Sequence, residues 1–178
     1  MKKGVLLMTG VLLLGGLGAW GWHRHTAAPA PVPRTTQRAT PPTKRARALT
    51  LRELRRRPKL TYAAVIDYAV HDTHVMRWQE VADYQAGWQV EIDRVHGARR
   101  YSVWPDRNIQ TSEKKLEPNW FTLKGHRVTY QSFVVHSDGD YTVYRTTLKR
   151  VVHRLNAQHA AARVRRMPER LVVKDATR

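Results

Sequence analysis

The densest chemistry in the sequence is cationic. Lys44, Arg45 and Arg47 form one group, Arg55, Arg56 and Arg57 with Lys59 a second, and Arg163, Arg165 and Arg166 a third. Ammonium and guanidinium groups at this density attract polyanions. Outside a cell membrane these are anionic cell-wall polymer or anionic lipid headgroups; inside, they are nucleic acid. These ten side chains are the candidate polyanion-binding residues. No helix-turn-helix, zinc-finger or RNA-recognition signature accompanies them, which places nucleic acid second. Plain solvated charge is the alternative reading of the same residues.

Other chemistries are weaker. Nine histidines prompt a search for metal ligands. Asp67, His71 and His74 stand at i, i+4 and i+7, on one face of a helix. That face lies opposite an apolar stripe, so it is expected to be open to solvent. No H-E-x-x-H framework supports it, and no metal or other cofactor is expected. Ser102, Ser112, Ser132 and Ser137 lie in no G-x-S-x-G or S-x-x-K pattern. Paired carboxylates occur as Glu91 with Asp93 on one strand face, and as Asp138 and Asp140 around Gly139. Acid–base work would need burial that these patterns do not indicate. The absence of cysteine excludes a disulfide scaffold, a Cys-based zinc site, a thiol nucleophile and a lipid-modified N-terminal Cys. No catalytic residue is assigned; a cell-wall hydrolase ranks third, behind a binding or structural module and a nucleic-acid binder.

The elements that carry these groups divide the charge unevenly. The chain has 178 residues and a formal charge of +18. Residues 1–60 hold a net +12, residues 61–145 a net −1 and residues 146–178 a net +7. The excess therefore belongs to the two ends. An apolar content of 42% argues against disorder throughout, and the length suits one ordinary domain.

Lys2 and Lys3 precede an uncharged run over residues 4–22. As a helix it would extend about 28 Å, close to the thickness of a bilayer core. Trp20 and Trp22 close it where aromatic rings favour headgroups. Residues 1–22 are thus expected to form a signal-anchor or transmembrane helix. A cleaved signal peptide is the main alternative, and Pro31 after Ala28-Pro29-Ala30 makes that site a poor one. A buried apolar helix is the third. Lys2 and Lys3 favour a cytoplasmic N-terminus, with Arg24, Arg34 and Arg38 opposing, so the remainder is expected outside the cytoplasm. Gly15 and Ala19 permit a homodimer through the membrane helix. Residues 23–48 contain five prolines and no acid, and read as an extended basic linker.

Residues 49–178 read as a small α+β domain, helices packed on an antiparallel sheet of about four strands. Thr61 is a plausible N-cap for a helix with Tyr62, Val65, Ile66, Ala69 and Val70 inward. A second helix is expected over residues 76–84. Trp88, Val90 and Ile92 alternate with polar residues as a half-buried strand, with residues 101–104 as its partner. Residues 120–123 and 128–135 flank a hairpin turn at Gly125. Residues 141–144 are a fourth strand or a continuation. Thr147 is expected to cap a helix that Asn156 breaks, followed by a short helix over residues 160–167 and a last short strand at residues 171–173.

Several of these segments carry a resemblance. They are Leu60-Thr61 with Ala63-Ala64-Val65-Ile66-Asp67-Tyr68, then Trp78, Gly97 and Tyr101-Ser102-Val103. Trp120-Phe121-Thr122-Leu123 before Gly125 and Val128 follows, and a closing segment runs from Thr147 through Asn156 to Val164. Over Leu60 to Asp175 the chain resembles a family of small secreted, lipid-anchored or membrane-anchored surface domains of lactic-acid bacteria. The resemblance implies an extracytoplasmic location and carries no catalytic residues.

Overall fold

The computed structural model describes residues 46–134 and 139–177. The expected membrane helix, most of the linker, Lys44, Arg45 and Asp138 lie outside the described residues. Among the described residues no helix is long and apolar enough to cross a membrane.

Three helices open the described chain: α1 (Leu51–Arg56), α2 (Pro58–Asp72) and α3 (Met76–Gln79). Thr50 caps α1 by accepting the Glu53 amide at 3.1 Å. Pro58 then starts α2 at its first turn, where the missing N–H costs nothing. Thr61 is therefore not an N-cap. It lies one turn inside α2 and donates its hydroxyl to the Leu54 carbonyl at 2.7 Å, locking α1 onto α2. The expected helix over residues 76–84 is shorter, ending at Gln79.

Five strands follow as an antiparallel meander: β1 (Trp88–Val95), β2 (Ala98–Pro105), β3 (Asn119–Lys124), β4 (Arg127–Phe133) and β5 (Tyr141–Thr147). α4 (Leu148–Ala157) and α5 (Ala161–Arg166) then lead to β6 (Leu171–Asp175), which pairs parallel with β1. The order is β5-β4-β3-β2-β1-β6. The α+β class holds, but the sheet has six strands rather than about four, and it is mixed rather than wholly antiparallel. The parallel pair arises because α4 and α5 carry the chain from one sheet edge to the other.

One sheet face, with Val90, Ile92, Val103, Phe121, Val128 and Tyr130 buried, packs on α2. Tyr62 meets Tyr101 and Phe121, and Tyr130 donates its hydroxyl to the Val65 carbonyl at 3.0 Å. Val65 and Ile66 have no exposed surface, and each such side chain contributes about 1.5–3 kcal/mol of burial. α4 and α5 pack on another side of α2, so Thr61, Asp67 and Asp72 are buried as well, while Lys59 and His71 stay exposed. Asp67 is 0% exposed.

That burial overturns the expectation of a solvent-open position at Asp67, while His71 is exposed and His74, also exposed, lies beyond the end of α2. Amphipathic spacing assumes one buried side, and α2 has two. Asn156 stands in the last turn of α4, which ends one residue on at Ala157. It lies within the helix and grips Leu49, donating to its carbonyl at 2.9 Å and accepting its amide at 2.7 Å.

Candidate anion-binding surface

Four elements carry exposed cations around one basic corner, with Lys124, Arg127 and Arg145 projecting from the sheet face away from α2. α1 directs Glu53 toward Arg165, which donates to it at 2.9 and 2.8 Å, leaving Arg52, Arg55 and Arg56 exposed. The β3–β4 turn places Lys124 and Arg127 directly opposite each other, a like-charge pairing that is unfavourable. The His126 carbonyl in that turn accepts the Leu148 amide at 2.8 Å, which joins the turn to the start of α4. Arg55 reaches the same turn, its Nη2 donating to His126 Nε2 at 3.1 Å. A guanidinium only donates, so in this contact His126 accepts at Nε2.

β5 and α4 complete the corner. Arg145 lies opposite Thr129, and Thr147 lies opposite Arg127. Thr147 caps α4 by accepting the Arg150 amide at 3.2 Å. Lys149 and Arg150 occupy the first turn of α4 with no acidic residue there. Cations at the positive end of a helix dipole are each unfavourable by about 0.3–1 kcal/mol. None of Arg52, Arg55, Arg56, Lys124, Arg127, Arg145, Lys149 or Arg150 forms a salt bridge among the described residues. Glu53 is the one acid in α1, β3, β4, β5 and α4. A bound anion would relieve the crowding of charge at the turn and the helix start.

The expected binding residues that the structure describes are not gathered on one surface. Arg55, Arg56 and Arg57 are exposed on or just after α1, with Arg57 3.8 Å from Glu53, and Lys59 is exposed beside Val173 and Asp175 of β6, away from this corner. Arg47 is exposed, and its carbonyl accepts Arg165. Arg163 and Arg165 do not belong to an open basic patch. Arg163 donates to Asp67 at 2.8 and 2.9 Å, and this hydrogen bonding raises its pKa above the usual arginine value against the opposing effect of burial. Arg165 is raised in the same way by Glu53. Arg154, on α4, pairs with the buried Asp72 at 2.7 Å. Much of the C-terminal charge thus neutralises carboxylates inside the domain. Arg166 is exposed elsewhere, at a separate cavity.

Lys124, Arg127, Arg145, Lys149 and Arg150 were not among the expected residues, because they are scattered in sequence and form no run. Their signal was an absence: residues 118–137 and 141–168 contain no acid.

The remaining candidates are engaged in the structure. His71 is exposed, with Nε2 3.1 Å from the Tyr84 hydroxyl, while Asp67 points inward; no metal-holding cluster exists among the described residues. Asp93 accepts Arg100 at 2.8 Å. Glu91 accepts Lys114 and the Trp104 ring N–H. Burial would raise the Glu91 carboxyl, and these two bonds outweigh it and hold it below the usual range. Ser102 is buried, and Ser132 donates to Asn119 at 2.6 Å. Trp104 and Trp120 lie on the sheet face away from α2, under Lys114 and Arg100 respectively, so the aromatic residues are not all core. Comparison of the chain with protein-family models, curated proteins and solved structures finds no match in any of the three.

Proposed function

We propose that this protein is a non-enzymatic binding module of the cell surface. Its N-terminal segment tethers it to the membrane, and its basic corner holds the folded domain on anionic cell-wall polymer. The observation that carries this reading is the corner itself, with eight exposed cations from α1, the β3–β4 turn, β5 and α4 that form no salt bridge among the described residues. Two of them crowd the start of α4 and two face each other across the turn, which is unfavourable unless a counter-charge is present. Phosphate-rich wall polymer supplies such charge repeatedly, and so do anionic headgroups and nucleic acid.

Sedimentation of the full-length chain with purified wall polymer, with anionic and neutral vesicles, and with duplex DNA separates these sources. Wall polymer is expected to bind most tightly, with affinity falling steeply between about 50 and 200 mM salt. Preference for anionic vesicles would move the docking surface to the membrane, and preference for DNA would replace the reading. Absence of salt-sensitive binding to all three would sink it. Protease digestion on intact cells tests location, since the domain should be cut from outside.

A further inference from the structure

The residues just before β1, the end of α5 and the turn Met167–Arg170 enclose a cavity of about 340 Å³. Three arginines line it, Arg163, Arg166 and Arg170, with one acid, Glu169, and Arg163 is itself paired with Asp67 behind the wall. Tyr84 and Gln85 complete its polar lining. The cavity lies on α5 and the turn, not on the elements of the basic corner.

The lining is built in place before any ligand arrives. Arg163 is held by Nε and Nη2 against the fully buried Asp67, and its Cζ lies 5.8 Å from the centre of the Tyr84 ring. Tyr84 donates its hydroxyl to the same carboxylate at 2.7 Å, and its ring stands edge-on to Trp88 at 5.2 Å. Arg170 donates Nη1 to the Gln85 carbonyl at 2.7 Å. Its backbone reaches this position because residue 87 is glycine. A Cβ at Gly87 would lie 2.2 Å from the Arg170 carbonyl oxygen. Arg166 is exposed and has no salt bridge among the described residues.

We propose that this cavity binds a phosphate ester of a small polyol or sugar. Planar guanidinium forks match tetrahedral phosphate oxygens with paired, charge-assisted hydrogen bonds. Arg163 is balanced by Asp67, so Arg166 and Arg170 stand against the one carboxylate Glu169, a net positive lining that favours an anion. The volume exceeds what a bare phosphate fills and lies in the range of small-ligand pockets. The space left over meets Glu169, Gln85 and Tyr84, which hydrogen-bond hydroxyl groups. Two of the cations are fixed by the protein's own bonds, so little ordering opposes binding.

The test is calorimetric titration of the full-length chain with glycerol 3-phosphate, inorganic phosphate and glycerol. Glycerol 3-phosphate is expected to bind saturably, phosphate to compete with it and glycerol not to bind. Arg166→Gln is the clean variant, since no ion pair is lost, and should weaken binding by about tenfold, the loss of one charge-assisted contact. A triple variant of the corner, R55E/K124E/R150E, should leave the affinity within about twofold of the parent, a difference well under 1 kcal/mol. That control keeps the cavity's failure distinct from the failure of the corner reading. Absence of saturable heat, an affinity unmoved by Arg166→Gln, or equal loss in the triple variant would each overturn the assignment.

Discussion

Replacing Asp67 by alanine tests the most consequential departure from the sequence pattern, the burial of this carboxylate on α2. Asp67 is 0% exposed and accepts three hydrogen bonds, from Tyr84 at 2.7 Å and from Arg163 at 2.8 and 2.9 Å. Breaking a buried ion pair on one side costs about 3–5 kcal/mol, because the partner charge stays behind uncompensated. Here the Arg163 side chain is 38% exposed, so water recovers part of its solvation and the lower end applies. About 3 kcal/mol is expected, including the Tyr84 hydroxyl left without its acceptor. For a domain of this size that lowers Tm by about 10 °C. Urea and thermal unfolding of the full-length chain, followed by circular dichroism, measure it. Asp67→Leu combined with Arg163→Met removes both charges and should be less destabilising than the two single changes added together, a coupling of about 1–3 kcal/mol. If Asp67→Ala costs less than about 0.5 kcal/mol, as a surface substitution does, the face is solvated and the packing of α5 on α2 is wrong.

Three further outcomes follow from the same contacts. The Glu53 carboxyl lies below its ordinary value of 4.5, chiefly through its hydrogen bond to Arg165, with burial opposing. A lowered carboxylate stabilises the fold above its unfolded pKa and loses that contribution as pH falls through the folded one. Tm should therefore decline from about pH 5 downward, and Glu53→Gln should flatten that decline while lowering Tm at neutral pH. Gly87→Ala should cost at least about 2 kcal/mol, since strain at φ +77 adds to the clash with Arg170. Gly97→Ala, at φ +80 with nothing nearby, should cost only the strain, about 1 kcal/mol, and the difference measures the close approach by chemical denaturation. Asn156→Ala should free Leu49 and lower stability by about 1–2 kcal/mol, readable as faster hydrogen exchange at the Leu49 amide.

The strand content of the fold was legible where alternation was clean, as at Trp88, Val90 and Ile92, whose side chains are all buried. The turns at Gly97 and Gly125 were legible for the same reason, lying between alternating segments. The parallel pairing of β6 was not, because it depends on a crossover that no local pattern encodes. α1 was missed because six mostly charged residues bury only Leu54. The charged runs misled in a particular way. Arg163 and Arg165 lie in the densest C-terminal group, yet their partners Asp67 and Glu53 are about a hundred residues earlier in the chain. The isolated cations Lys124, Arg127 and Arg145 make the corner instead, since antiparallel pairing gathers what the sequence spreads out.

Salt-dependent binding of the R55E/K124E/R150E variant to wall polymer tests the central claim most directly. The parent chain should bind at low ionic strength, with log affinity falling linearly as log salt rises. The triple variant should bind at least about a hundredfold more weakly at low salt, with a shallower slope, while unfolding at the parent temperature. A triple variant that binds wall polymer with the parent's affinity and slope would contradict the account, because the corner would then hold nothing.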